Sequence, residues 1–264
     1  MTKWTGNNKQ WTLVKNKNYW DAKNVKLSKV NEQVSESTTT SYNLFQAGKA
    51  DETPLSGQQA AANKNKAGYY PRLASAIKRL ELNQNTVKIF KNLKARQAFS
   101  YAINRKQLAG AILKDGSIAA KGFVPSGMGK NPTTGAEFQD DAYVKNAVSY
   151  DLTKAKKLLN QAYKETGISN VKVTLLAGDD DTSKQIAEFL QSQLVRLPKV
   201  NVSIQNIPYT QLITRQVSGD YQLTIKNWQA VIADPINFLD VFEKKGVSFN
   251  PTGVPYDFKS VYVK

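Results

Sequence analysis

Asp179, Asp180 and Asp181 stand side by side, after a run of alternating apolar residues and before a helical pattern. Three adjacent carboxylates could hold a metal ion or do acid–base work. The same run also suits a turn and a helix N-cap, where the first N–H groups need acceptors and the helix dipole favours negative charge. Calcium needs more oxygen ligands, at spaced positions, than this run offers. Gly116, Gly122, Gly127 and Gly129 are candidates for phosphate binding. Their spacing lacks the GxxxxGK pattern, and no glycine fingerprint joins a strand to a helix in one turn. They read as a loop at a cleft rim. A further candidate is the stretch from Asn227 to Leu239, which begins where a strand pattern ends. In open α/β sheets, ligands bind beyond the carboxyl ends of strands. Trp228 would offer flat, amphipathic contact area there, and it would equally serve as a core residue.

The sequence holds no cysteine and no histidine. Zinc sites almost always use one or the other. Thiol nucleophiles and Ser-His-Asp triads are excluded, as is any disulfide. A hydrolase would need a pair of carboxylates, and no Asp/Glu spacing singles one out. Neither enzymatic activity, a metal nor a cofactor is expected. The net charge is +16, with Lys outnumbering Arg. One reading is a basic protein that binds nucleic acid or an anionic surface. The other is a solvated lysine-rich surface. The lysines are scattered, without the clustered cations and stacking aromatics that nucleic-acid binding uses. Their denser runs (Lys88, Lys91, Lys94 and Arg96; Lys154, Lys156 and Lys157) fall on helical patterns as solvent faces would.

The elements that must position these residues follow from periodicity. Hydrophobic residues make up 41% of the 264 residues, an ordinary globular share. No stretch is long and apolar enough for a transmembrane helix, and Met1–Trp11 has neither an apolar leader nor a lipid-anchor cysteine. Residues 10–34 predict two short strands around a polar turn, from Trp11, Leu13, Val25, Leu27 and Val30. Thr38–Ala47 predicts a helix, and 51–75 a loop. Ile77, Leu80 and Leu82 suggest a strand over 76–82. Leu93, Phe99, Ala102, Ile103 and Ile112 predict one helical region over 92–113. From Asp151 onward the order is helix–strand–helix–strand–helix–strand–helix. Asp151 and Gly167 cap the first helix, Thr182 or Ser183 opens the second, and Pro235 starts the last, which carries Phe238, Leu239 and Phe242. That order predicts an α/β lobe with helices packed on a sheet.

Several stretches resemble a known family in order along the chain. They are Asn18-Tyr19-Trp20-Asp21 with Val25 and Val30, and Leu44–Asp51. Phe90–Ala98 follows, with Ala102-Ile103-Asn104-Arg105, then Asp115-Gly116-Ser117 up to Pro125-Ser126-Gly127. Tyr150-Asp151 with Ala155–Leu159, and Asn227–Leu239, complete the set. Together they resemble the oligopeptide-binding proteins that serve peptide-importing ABC transporters, bacterial extracellular solute-binding protein family 5, especially those of Gram-positive lactic acid bacteria. The resemblance implies an α/β, type II periplasmic-binding-protein-like fold whose two lobes close over a peptide. It covers part of the first lobe, 1–80, and most of a C-terminal lobe, 81–264. It also implies binding through the peptide's backbone and termini, delivery to an ABC permease, a monomer, and an extracytoplasmic, membrane-anchored location. The residues it places along the cleft are Asn227, Trp228, Gln229, Ala230 and Val231, with Glu81 and Arg215 as further wall contributors. Arg215 could meet a peptide carboxylate by a charge-assisted bond, and it would equally serve as a surface arginine.

Three departures from the family pattern qualify these expectations. The chain resembles only about half of a family member, starting beside Lys3-Trp4-Thr5 and losing the pattern after Phe249–Gly253. A truncated product is therefore expected, cytoplasmic if made as given. Val231 stands where the family has an acidic residue for the peptide's amino terminus. Asn227 replaces a glycine before Trp228, and its side chain would intrude where ligand backbone approaches. Impaired binding is expected.

Overall fold

The computed structural model describes residues 9–240. The expectations at Lys3–Thr5, at Phe242 and at Phe249–Gly253 lie outside them. The chain divides into two compact units between Leu55 and Ser56. The sequence reading set its boundary at 80, which falls inside a strand of the second unit's sheet.

In the first unit, strand β1 (Gln10–Val14) pairs antiparallel with β2 (Lys29–Gln33), with Leu13 opposite Val30. Helix α1 (Thr38–Gln46) follows. Its cap is Ser37, whose hydroxyl accepts the Thr40 N–H, and Gly48 leaves it at φ +65°. None of the described residues of this unit is buried.

The second unit opens with α2 (Gly57–Asn63), where a loop was expected. The segment is polar overall, but Gln58–Ala62 are good helix formers, and Ala60 gives the helix a buried side. Four strands then make one sheet: β3 (Ala76–Leu82), β4 (Val171–Gly178), β5 (Val200–Ile207) and β6 (Leu223–Gln229). Their order is β3-β6-β4-β5. β4 is parallel to both β5 and β6, and β3 runs antiparallel to β6.

The single helix expected over 92–113 is broken. Asn92 caps α3 (Leu93–Ala102), but Ile103 turns extended, at φ −96° and ψ 117°. The Asn104 side chain then caps α4 (Arg105–Gln107), and wide π-type turns run on from Leu108 to Leu113. The Arg105 guanidinium fills the break, donating to the carbonyls of Ser100 and Val148. Ala102 and Ile103 are both buried, so the apolar pattern runs through a point where the backbone does not. Short helices α5 (Phe138–Asp141) and α6 (Lys145–Val148) follow a glycine-containing loop.

From here the predicted alternation holds. Helix α7 (Leu152–Thr166) starts at Asp151, whose carboxylate accepts the Lys154 N–H at 2.8 Å, and ends at Gly167, φ +71°. Helix α8 (Asp181–Leu194) is capped by Asp180, which accepts the Ser183 N–H at 2.9 Å. The cap lies earlier than Thr182 or Ser183, and the aspartate run is a turn and a cap. Helices α9 (Tyr209–Ser218) and α10 (Ile236–Leu239) are the last of its helices among the described residues.

Strand alternation gives the sheet two unlike faces. On one, Leu80, Leu82, Val173, Leu175, Val202 and Leu223 pack under α3, α7 and α8 in the main core. On the other, Leu176, Ile207, Leu212 and Tyr221 form a small cluster under α9. A polar strip from β3 and β6 lies beside it: Arg79, Glu81, Thr224 and Lys226.

Candidate ligand-binding site

The C-terminal end of β6 projects past its pairing with β4, which involves only Leu223 and Thr224. β3 supports the projecting part, with Ile77 opposite Trp228 and Ala76 opposite Gln229. The Ala230 N–H donates to the Ser75 carbonyl at 2.8 Å and carries the pairing one residue further. The chain then turns back through α10. The Trp228 Nε1–H donates to the Asn237 carbonyl at 2.7 Å. The Asn237 side-chain oxygen accepts the Val231 N–H at 2.9 Å. Asn237 thus ties the strand end to the following helix at two points. The Trp228 ring packs with Ile77, Val124, Met128 and Phe238.

Alternation divides the predicted stretch between two sides of the strand. Trp228 and Ala230 lie against the aromatic and aliphatic cluster. Asn227 and Gln229 are exposed on the opposite side. Val231 is 88% exposed, and Ile232 and Ile236 beside it are also exposed. The half-buried Trp228 ring closes a small core at the edge of an exposed apolar corner.

Glu81 lies deeper on the Trp228 side and is 5% exposed. One carboxylate oxygen accepts from the Tyr221 hydroxyl at 2.7 Å and from Lys226 Nζ at 3.0 Å. The other accepts from Arg79 Nε at 3.0 Å. Burial alone would raise the Glu81 pKa. The charges of Arg79 and Lys226, with hydrogen bonds from Tyr221 and Lys226, outweigh it and hold the group below its ordinary 4.5. Burial pulls Lys226 below its ordinary 10.5, against the pull of Glu81. Glu81 is therefore the hub of an internal ion cluster. Arg79, Lys226 and Tyr221 are the members sequence reasoning missed. A charged residue inside each of two alternating strands was the available signal.

Arg215 is placed elsewhere. It donates from Nε to the Asp220 carboxylate at 2.8 Å and from Nη1 to Gln205 at 3.0 Å. Asp220 precedes β6, whereas Val231 follows it. A seven-residue strand spans on the order of 20 Å. The structure gathers Trp228, Ala230, Val231 and Asn237 at one end of β6 and leaves Arg215 at the other. Among the described residues no group of three or more acidic side chains is arranged to hold a metal. None of their helices is long and apolar enough to cross a membrane.

A sheet with helices on both faces thus ends in an aromatic corner at β6. The chain belongs to the bacterial extracellular solute-binding proteins, family 5, whose middle region matches residues 1–250. It is 34% identical to a dipeptide-binding protein of Lactococcus lactis, over 94% of this chain and 46% of that protein. It is 28% identical to the oligopeptide-binding protein OppA of Bacillus subtilis, over 92% of this chain and 44% of the other. Among solved structures, Listeria monocytogenes OppA bound to peptide superposes with a TM-score of 0.88 at 31% identity, over 96% of this chain and 50% of that one. The pheromone receptor PrgZ gives 0.85 at 34%, over 94% and 48%. The fold is thus part of the type II periplasmic-binding-protein-like architecture, and the chain spans about half the length of these relatives. The relatives are solute-binding proteins, not enzymes.

Proposed function

We propose that this chain is part of the peptide-binding component of an ABC importer, and that the end of β6 is its peptide-contacting edge. The carrying observation is the corner built by Trp228 and Asn237, which pins the backbone and turns Val231 outward. The names of the relatives support oligopeptides as ligand. An ABC permease as partner, a monomeric state and an extracytoplasmic site of action belong to the same reading. Asn227, Gln229 and Val231 face solvent and are available to ligand. Glu81 acts from within, through the residues it pairs with, and Arg215 would meet ligand only through a second contact region.

Peptide binding is weakened by Val231. A hydrogen bond to a charged group contributes about 1.5–3 kcal/mol. Without an acid for the peptide amine, affinity falls on the order of tenfold or more. Calorimetry of the purified chain with short peptides tests this. Val231→Asp is expected to tighten binding on the order of tenfold, and N-acetylation of the peptide to abolish the gain. Equal affinity of both chains for free and acetylated peptides would remove Val231 from the site.

A further inference from the structure

Arg79 occupies a position that no internal interaction accounts for in full. It lies on the same side of the sheet as Trp228, opposite Lys226, one cross-strand pair further in. Two residues along a strand is a step of about 7 Å. Its Nε is held by Glu81. Its guanidinium carbon lies 4.9 Å from the centre of the Phe123 ring. Nη1 is enclosed, yet it has no hydrogen-bond partner among the described residues. Buried donors are almost always satisfied, so an orphan on a charged group calls for an explanation.

The charges point the same way. Arg79 and Lys226 share one carboxylate, that of Glu81. Lys226 and Tyr221 both bond the Glu81 oxygen that Arg79 does not use. Glu81 therefore fixes the guanidinium through Nε without consuming the fork of Nη groups. A guanidinium keeps its donors in its own plane, and that planar fork matches a carboxylate. The aromatic residues beside it, Phe123 and Trp228, would exclude water from such a pair.

We propose that Arg79 is an anchor for a carboxylate of the bound peptide, either its C-terminus or an acidic side chain. This rests on the peptide-binding reading above. Glu81 is a positioning residue that aims the fork. Phe123, which lies in the segment between Leu113 and Phe138, would have to rotate its ring aside to admit the carboxylate at the Nη edge.

The test is calorimetry of the purified chain against one peptide sequence in three forms: free acid, C-terminal amide, and free acid with its Glu residues changed to Gln. Tenfold or greater weakening of the amide identifies the terminus as the anchored group. The same weakening of the Gln form identifies the side chain. In either supporting case Arg79→Gln erases the difference by weakening the forms that keep the anchored carboxylate, while the form that lacks it keeps its affinity. Should Arg79→Gln fail to fold, nitrogen-15 NMR of the arginine side chains in the unmutated chain replaces it. The Arg79 Nη signals then shift with the free acid and not with whichever form lacks the anchored carboxylate. Equal binding of all three forms, with Arg79 signals unmoved, overturns the anchor and leaves peptide binding standing. Failure of a cooperatively folded chain to bind any form overturns both.

Discussion

Glu81 and its partners show how much a single carboxylate decides. Removing one member of a buried ion cluster leaves the others charged and unpaired, at a cost of about 3–5 kcal/mol. Glu81→Gln should lower the urea-unfolding free energy at neutral pH by about that amount. Lys226→Met should cost less than this, because the Glu81 carboxylate keeps Arg79 and Tyr221 as partners when the second cation is removed. The pH dependence has a definite sign. The Glu81 carboxyl is held below its ordinary 4.5, so its contribution is complete above that pH and is lost as pH falls through the depressed value. Unfolding measured from pH 3 to 7 should show a flatter acid limb in Glu81→Gln than in the parent. An equal slope in both would deny Glu81 that role. At this scale the sequence is legible where a site is contiguous. Trp228 and Val231 are close enough for spacing alone to place them together. The Glu81–Lys226 pair is not, because its members are 145 positions apart. Only the β3–β6 register brings them within reach, and a slip of one residue would put them on opposite faces.

The helices are legible to the degree that their ends are chemically marked. Asp151 and Gly167 are a cap and a left-handed stop, and α7 runs between them. Asp151→Ala should cost about 0.5–2 kcal/mol in chemical denaturation, the usual loss for an N-cap acceptor. Where the marks conflict with the apolar pattern, the pattern misleads. The break at Ile103 is announced by Asn104, a good cap residue, but Leu108 and Ile112 keep the helical spacing alive across it. The polar stretch before β3 hides α2 for the opposite reason, since helix-forming residues there carry little apolar content. The end of α7 offers a second test. The Tyr163 hydroxyl donates to the Pro198 carbonyl at 2.8 Å, which ties the helix to the turn before β5. Burial pushes the Tyr163 pKa from 10.0 up to about 12. The folded chain keeps this proton after the unfolded chain has lost it. The contribution is therefore full below pH 10 and is lost as pH rises from 10 towards 12. Tyr163→Phe should be less stable than the parent at pH 8 and lose less stability between pH 9 and 11, measured by circular dichroism.

For the whole molecule, the division between Leu55 and Ser56 separates a core from elements that have none. The strands and helices that build the main cluster all lie in the second unit, while no described residue of the first is buried. A two-stranded hairpin without a hydrophobic face is marginal by itself. Composition marks 51–75 as a loop, but burial decides where cooperativity stops, and burial depends on which strands share a sheet. β4 has neighbours on both sides, with Leu175 and Ala177 fully buried, so its amides should exchange only through global opening. β1 and β2 should exchange through local opening that costs little. Leu159→Ala separates the two cases. Leu159 is fully enclosed in the main core, and truncating such a residue costs about 2–5 kcal/mol. Since 1.4 kcal/mol is about a factor of ten, β4 amides in this variant should exchange roughly thirtyfold faster or more. Amides of β1 and β2, followed by hydrogen exchange and mass spectrometry, should keep their parental rates. If they accelerate in step with β4, the two units open as one, and the hairpin draws its stability from the same core that Leu159 supports.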